Sequence, residues 1–442
     1  MMLFSIITFT VSLICYITRP EGYSYSFICF LFALFCVQLV YFLRRNTYDR
    51  FINFHSIFLL TNLIVVYLYP IFIHPLDVNF LRNVNENYIN LGTSIAQLSL
   101  SAYMLGASFI KKKGTSGFNY KIERPMPKML LTLLYVNIIA IIIYYVPSIG
   151  KVYGGLDKND TLSSLILLFF TITLLWNTSW NAHKIHNIRS FVMNNKKIIF
   201  PIMAYCAVLL LVGIRFAVLS ILLVLMVTYI TYVKNVNYKF LIIGGVSVPL
   251  LFFIVAITRN GGDMDSFSSD RNQSVPMIFY VFSDLIGTTN NLYAGAEYVD
   301  RNGIMYGSSI IPQIFAPFPF LPTIVTQALY NTDPVTQTTQ YLLSDFLGTI
   351  TTNNVSFVGT NCIIDIYMNM GLIFTILSFV LFGFFTQKLT VSRNKNIYYQ
   401  CLYFLLVSDA IFMVRGTIYG LYRQFIWAIF LIYLFRHLQT KV

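Results

Sequence analysis

Charge is what this 442-residue chain has least of: only 11% of its residues are Asp, Glu, Lys or Arg, where soluble domains carry about 25%. With a mean hydropathy of +0.69, that deficit excludes a water-soluble globular fold, a disordered chain and a fibrous repeat. Acid is scarcer than base, 17 residues against 30. The six cysteines form no CxxC pair and no Cys/His cluster with metal-ligand spacing, which excludes a disulfide scaffold and a zinc site. They read as small buried apolar residues. The five histidines form no HExxH, and Walker, GxSxG and Rossmann signatures are missing. The expectation is an enzyme or carrier without metal or cofactor, and without a nucleic-acid partner.

What is present is a succession of apolar runs from residue 2 to residue 436. A helix needs about 20 residues to cross roughly 30 Å of hydrocarbon. The runs predict twelve spans: 2–18, 25–43, 52–73, 88–110, 129–147, 161–180, 198–213, 216–233, 240–258, 362–385, 397–414 and 418–436. Residues 198–233 would make one helix of about 54 Å, nearly twice the core. They must therefore fold back at Gly213-Ile214-Arg215, and residues 397–436 must do so at Arg415-Gly416-Thr417. The predicted fold is an all-α polytopic membrane protein, with residues 1–258 holding nine spans and 362–442 the last three. Between them lies one large loop, residues 259–361.

Twelve spans place both termini on one side, and the loops of that side hold 20 of the 30 basic residues, Lys111-Lys112-Lys113 among them. Only Asp49 and Glu123 are acidic there. The positive-inside rule makes that side the cytoplasm and puts the large loop outside. A long loop that is neither low-complexity nor highly charged is usually folded and functional. Residues 277–300 predict an amphipathic helix. Residues 303–322 carry Pro312, Pro317, Pro319 and Pro322, which argues against a further span. Asp263-Met264-Asp265 has the letters of a nucleotide-sugar motif but falls on the outer side, where nucleotide sugars are not supplied.

Ionisable residues at membrane depth are costly and point to function. Those near outer span ends are Arg215, Arg259, Arg415, Arg423, Asp365 and Asp409. Guanidinium is permanently charged and binds phosphate oxygens bidentately, so the four arginines fit a lipid-linked phosphate or pyrophosphate. Arg415, Tyr419 and Arg423 would share a face if the last helix starts early. Snorkelling to headgroups is the structural alternative, and arginine pairing that for the aspartates. His74, beside Pro75, reads as a solvated loop histidine before it reads as a base.

Three stretches resemble the Wzy-type O-antigen (oligosaccharide repeat-unit) polymerases: Gly213-Ile214-Arg215 opening a span, IIPQIFAPFPFLP at 310–322, and 357–384 with its pattern of Gly359, Tyr367, Asn369, Gly371 and Gly383. The plan of about twelve spans and one late periplasmic loop is similar too. The resemblance implies a metal-independent membrane glycosyltransferase that polymerises undecaprenyl-pyrophosphate-linked repeat units at the periplasmic face. Arg215, Arg259, Arg415 and Arg423 would hold pyrophosphate, with Asp365 or Asp409 as base or orienter. A chain-length regulator and a flippase would be partners, alongside the bilayer. The alternatives are a lipid-linked oligosaccharide flippase or transporter, which normally shows two similar halves, and an O-antigen ligase, which usually carries a histidine in the large loop; residues 259–361 contain none.

The charge bias makes sidedness testable. Cysteines introduced at Ser116 and Asn194 should be shielded from an impermeant thiol reagent in intact spheroplasts, while one at Ser268 reacts. Labelling at Ser116 with none at Ser268 inverts the topology.

Overall fold

The computed structural model describes residues 2–46, 52–81, 84–110, 124–148, 160–233, 283–318, 320–351 and 359–440, with isolated residues between them. Eleven of the twelve predicted spans contain a helix, the one within 397–414 ending early at Ser408; the ninth, 240–258, lies outside the described residues. Among the described residues, six helices have both the length and the apolarity to cross a bilayer: 25–45, 54–73, 128–145, 162–180, 215–232 and 362–392. The chain divides into two compact units, one of residues 1–113, 272–391 and 410–423, the other of 114–271, 392–409 and 424–442.

The first unit opens with α1 (Met2–Ile17), α2 (Tyr25–Asn46), α3 (Phe54–Leu68, continued by a π turn over Tyr69–Ile73) and α4 (Ile89–Ser108). The large loop adds α10 (Ser283–Asn302), α11 (Ile310–Phe315), α12 (Leu321–Tyr330), α13 (Thr339–Phe346) and a two-residue antiparallel ladder, Ile350–Thr351 with Asn354–Val355. Next comes the long helix α14 (Cys362–Ser392). α4 is an inside-out helix: every residue but Leu91 and Leu105 is buried, although it is rich in Ser, Thr, Gly, Asn and Gln. In lipid, apolar side chains gain nothing by turning inward, so small and polar residues take the helix contacts. Gln97 of α4 shows how they are satisfied. Its carbonyl accepts from Tyr67 Oη at 2.5 Å, while its amide donates to Gln38 Oε1 at 3.1 Å and to Ser12 Oγ at 3.2 Å. Ser12 and Ser101 share a hydrogen bond at 2.8 Å, so one residue ties α1, α2 and α3 to α4.

Glycine lets α4 and α14 approach backbone to backbone. A Cβ at Gly106 would strike the Val380 carbonyl, and one at Gly383 the Tyr103 carbonyl. Beside this contact His55 Nδ1 meets Tyr103 Oη at 2.6 Å, and Thr386 Oγ1 donates to the same oxygen at 3.2 Å. α14 itself is broken at Gly371, whose φ of 74° and ψ of −177° lie outside the helical region. Residues 372–392 then measure about 31 Å, the thickness of the hydrocarbon, and residues 362–370 stand at its loop end.

The second unit holds α5 (Lys128–Tyr145), α6 (Asp160–Trp180), α7 (Ile188–Asn194), α8 (Lys196–Val212), α9 (Arg215–Tyr232), α15 (Ile397–Ser408) and most of α16 (Gly420–Thr440). Its first predicted break is present: Gly213 ends α8 at φ +91°, and Ile214 donates back to the Leu209 carbonyl at 2.9 Å. A left-handed residue costs glycine almost nothing. α7 and α8 meet at 91°, at Asn195, whose Oδ1 accepts from Asn177 at 2.9 Å. Tyr232 of α9 joins Ser179 at 2.6 Å and Gln400 at 2.9 Å.

The second break differs from its prediction. α15 ends at Ser408, Met413–Arg415 form a single 3-10 turn, and α16 begins only at Gly420. Arg415 therefore stands outside the helix that carries Arg423, and the shared face does not form. Asp409 becomes the C-cap of α15. No helical turn survives across residues 409–412, a span break longer than the three residues expected.

Gly106→Leu and Gly383→Leu should each cost about 3 kcal/mol or more, because backbone atoms cannot retreat as side chains do. Gly287→Ala, inside α10 where a Cβ meets nothing, should leave the thermal unfolding midpoint in detergent unchanged or slightly raised. Equal midpoints for all three variants refute the close approach.

Candidate functional site

The loop end of the first unit is assembled around α10. The amphipathic pattern over 277–300 is realised as Ser283–Asn302. Its polar residues turn inward: Thr289 donates to the Val65 carbonyl of α3, and the Tyr293 ring lies 6.3 Å from that of Tyr69. Gly295 packs against Ile364 of α14, where a Cβ would collide. Glu297 accepts from Asn85 at 2.9 Å and pairs with Arg301 at 2.5 Å, and Asp300 accepts from Tyr88 at 2.6 Å.

α14 opens with three polar residues one turn apart, each holding a different piece of chain. Asn361 caps the helix, accepting from the Ile363 amide at 2.9 Å, while its own amide donates to the Val414 carbonyl at 2.9 Å. Thr360 donates to the Arg415 carbonyl at 3.4 Å, and Gly359, at φ +78°, lies against the same carbonyl. The arginine turn is thus fastened to the foot of α14 by backbone and by Asn361. Asp365, 1% exposed, accepts from Thr339 of α13 at 2.5 Å. The Thr417 hydroxyl also interacts with this carboxylate, while Oδ2 makes no bond of normal geometry among the described residues. Asn369 donates to Ser309 Oγ at 2.7 Å and accepts from the Ser309 amide at 3.3 Å. Its backbone carbonyl takes the Gly307 amide at 3.0 Å, and the Met368 carbonyl that of Met305 at 2.8 Å.

His74 is not solvated as expected. It is 4% exposed, with its ring 4.2 Å from that of Tyr23 and 5.5 Å from that of Tyr69. The π turn over Tyr69–Ile73 ends on it. One extra residue in a turn rotates the residues after it by about 100°, and this brings the imidazole inward. Nε2 lies 3.6 Å from Glu86 Oε1, beyond hydrogen-bond range. Burial pushes the imidazole below its ordinary value, and the Glu86 carboxylate offsets part of that. With respect to His74 the fold keeps its full stability above the ordinary imidazole pKa and loses stability as pH falls from that value through the lowered one.

Of the six predicted site residues, Asp365, Arg415 and Arg423 belong to this unit, and Arg215 and Asp409 to the other. Arg259 lies outside the described residues. Arg215 is the first residue of α9, after an Ile214 N-cap that offers no side-chain acceptor, and Arg423 is in the first turn of α16; neither helix has an acid in its first turn. A helix N-terminus carries about half a positive charge, so an arginine there adds cation to cation. Both ends suit an anion. Sequence reasoning passed over Thr339, Ser309 and Glu86, which are ordinary loop residues until α14 and the π turn reach them.

The fold and site define a multi-pass membrane protein with a long loop folded onto the end of one span. The chain belongs to the O-antigen polysaccharide polymerase Wzy family, whose profile it matches over residues 1–441. No curated protein and no solved structure matches it.

The anchoring role of α14 has a direct test. Asp365→Ala and Asn369→Ala should each leave a buried partner unsatisfied, at about 1–3 kcal/mol, and speed amide exchange in residues 303–309 and 339–346. Asp365→Asn keeps an acceptor for Thr339 and should exchange at the wild-type rate. Unchanged exchange in both alanine variants would show that the loop is held elsewhere.

Proposed function

We propose that this chain extends O-antigen by glycosyl transfer between undecaprenyl-pyrophosphate-linked units at the periplasmic face of the bacterial inner membrane, through twelve spans with both termini cytoplasmic. The reading rests on the family match over the whole chain. The single structural observation that supports it is the placing of arginine at helix starts that have no acid, Arg215 above all.

The acceptor sugar hydroxyl attacks the anomeric carbon of the growing chain, the bond from that carbon to the pyrophosphate oxygen breaks, and undecaprenyl pyrophosphate leaves. Negative charge grows on the leaving group, and preorganised donors in a dry recess stabilise such charge most. We assign the role of cationic donor to Arg215, Arg259, Arg415 and Arg423, so the step invokes no metal. Asp365, buried and engaged with Thr339, acts as orienter. Asp409, at the C-cap of α15, is the other carboxylate proposed as base or orienter. The proton passes to a base with an open face. Glu86 has one, being 48% exposed with His74 behind it. A chain-length regulator and a flippase are the partners this reaction calls for.

A lysine could replace a snorkelling arginine but not a bidentate pyrophosphate ligand. Arg215→Lys should reach normal membrane levels with a strongly reduced lipopolysaccharide ladder, and Arg215→Ala should give none, a loss of about 3–4 kcal/mol or roughly 10²–10³ in rate. Wild-type ladders from both would make Arg215 structural. Deleting the gene separates the alternatives. One repeat unit left on the core indicates a polymerase, whereas loss of all O-antigen with accumulating lipid-linked polymer indicates a ligase.

A further inference from the structure

From Asn302 to Thr332 the loop contains no charged residue; Arg301 and Asp333 bracket 31 residues of Gly, Pro, uncharged polar, aromatic and aliphatic side chains. A loop of that length in water would carry several charges. This one also exposes its large apolar residues: Ile314, Phe318, Ile324 and Leu329 are all open, and Phe320 is 81% exposed. α12 is turned the wrong way for an aqueous surface. Its one buried residue is Thr326, whose hydroxyl bonds the Pro322 carbonyl, while Ile324 and Leu329 face out. Phe320 stands at the N-cap of α12 in the left-handed region, φ 66°, a conformation uncommon for a bulky residue.

The segment is fixed at a definite height. Met305 and Gly307 donate to the carbonyls of Met368 and Asn369, just before the Gly371 break at which the membrane length of α14 begins. Just beyond that break the bare stripe of α14 starts, with Ile373 at 78% exposure and then Leu377, Leu381 and Phe385. Asn369 is covered by the loop, and Ile373 is left to lipid. α12 is about 15 Å long, half of what a span needs. With the chain broken between α11 and α12, the pair can lie along a membrane surface but cannot cross it.

We propose that α11 and α12 form an interfacial hairpin seated in the leaflet on the loop side, with Ile314, Phe318, Phe320, Ile324 and Leu329 dipped among phospholipid acyl chains. The apolar patch continues the lipid-facing stripe of α14 around the loop. Exposed apolar patches of this kind mark membrane or protein contacts, and a helix with one apolar face lies in the interface plane when it is too short to span. Continuity with α14 and the absence of any charge select acyl chains over a protein partner, whose binding surface would carry a polar rim. Tyr306, largely exposed next to Gly307, takes the place of an interfacial aromatic. The hairpin would hold the loop against the bilayer, whatever reaction the site performs.

The test is photocrosslinking of the full chain in phosphatidylethanolamine–phosphatidylglycerol vesicles. Benzoylphenylalanine replaces Phe318, Phe320 or Ile324, all exposed, so that the fold is undisturbed, and Thr332 serves as the aqueous control. Phospholipid adducts at the three positions and none above background at Thr332 are expected, read by mass spectrometry. No lipid adduct at any of the three, or adducts to a second copy of the chain in place of lipid, overturns the proposal. The vesicles contain no oligosaccharide donor, so failure here is distinct from failure of the polymerase reading, which the ladder measures.

Discussion

Three buried polar side chains at the start of one helix carry the loop end of this protein. Asn361, Asp365 and Asn369 stand at i, i+4 and i+8 on α14, and each would cost about 1–3 kcal/mol if left unpaired. Each is paired with a different part of the chain: the 413–415 turn, helix α13, and the approach to α11. Through these bonds one helix face decides where Arg415 is presented, where the loop folds down, and how high the apolar hairpin sits. None of the three could be shifted by one residue without turning its side chain about 100° away from its partner.

Below that level the packing obeys the rules of lipid. α4 is central because it is small and polar, with the Gln97 network inside it and two glycines, Gly106 and Gly383, closing the gap to α14. The glycines at 359, 371 and 383 have three separate physical reasons. Gly359 has a positive φ against the Arg415 carbonyl, Gly371 breaks the helix, and Gly383 admits a neighbouring backbone. Likewise the arginines at 215 and 423 sit where the helix dipole makes a cation least comfortable. An anion suits a helix start of this kind, and that is the link to the proposed pyrophosphate chemistry.

How much of this was legible in the chain depends on the range of the interaction. The apolar runs, the arginine turn after Gly213 and the proline-rich segment that cannot span are local facts, set by helix length and backbone chemistry within a few residues. Among the described residues, the structure places helices at those runs and a left-handed cap at Gly213. The second break was misplaced because Ser408-Asp409 interrupts the run only briefly and it is apolar again to Val414, while the turn is held by bonds from Thr360 and Asn361. His74 was misjudged for a related reason. Hydropathy places it at a span end but does not register the π turn that rotates it inward against Tyr23 and Tyr69.

The sequence by itself determined that the bilayer is the solvent, that long apolar helices recur along the chain, and which few ionisable residues stand near their ends. Those are consequences of transfer free energies, which are summed residue by residue. Only the tertiary structure decided which polar residues meet. Thr339 and Asp365 are 26 residues apart, and Ser309 and Asn369 are 60. A hydrogen bond between them depends on the packing of whole helices, and composition within either segment carries no record of it.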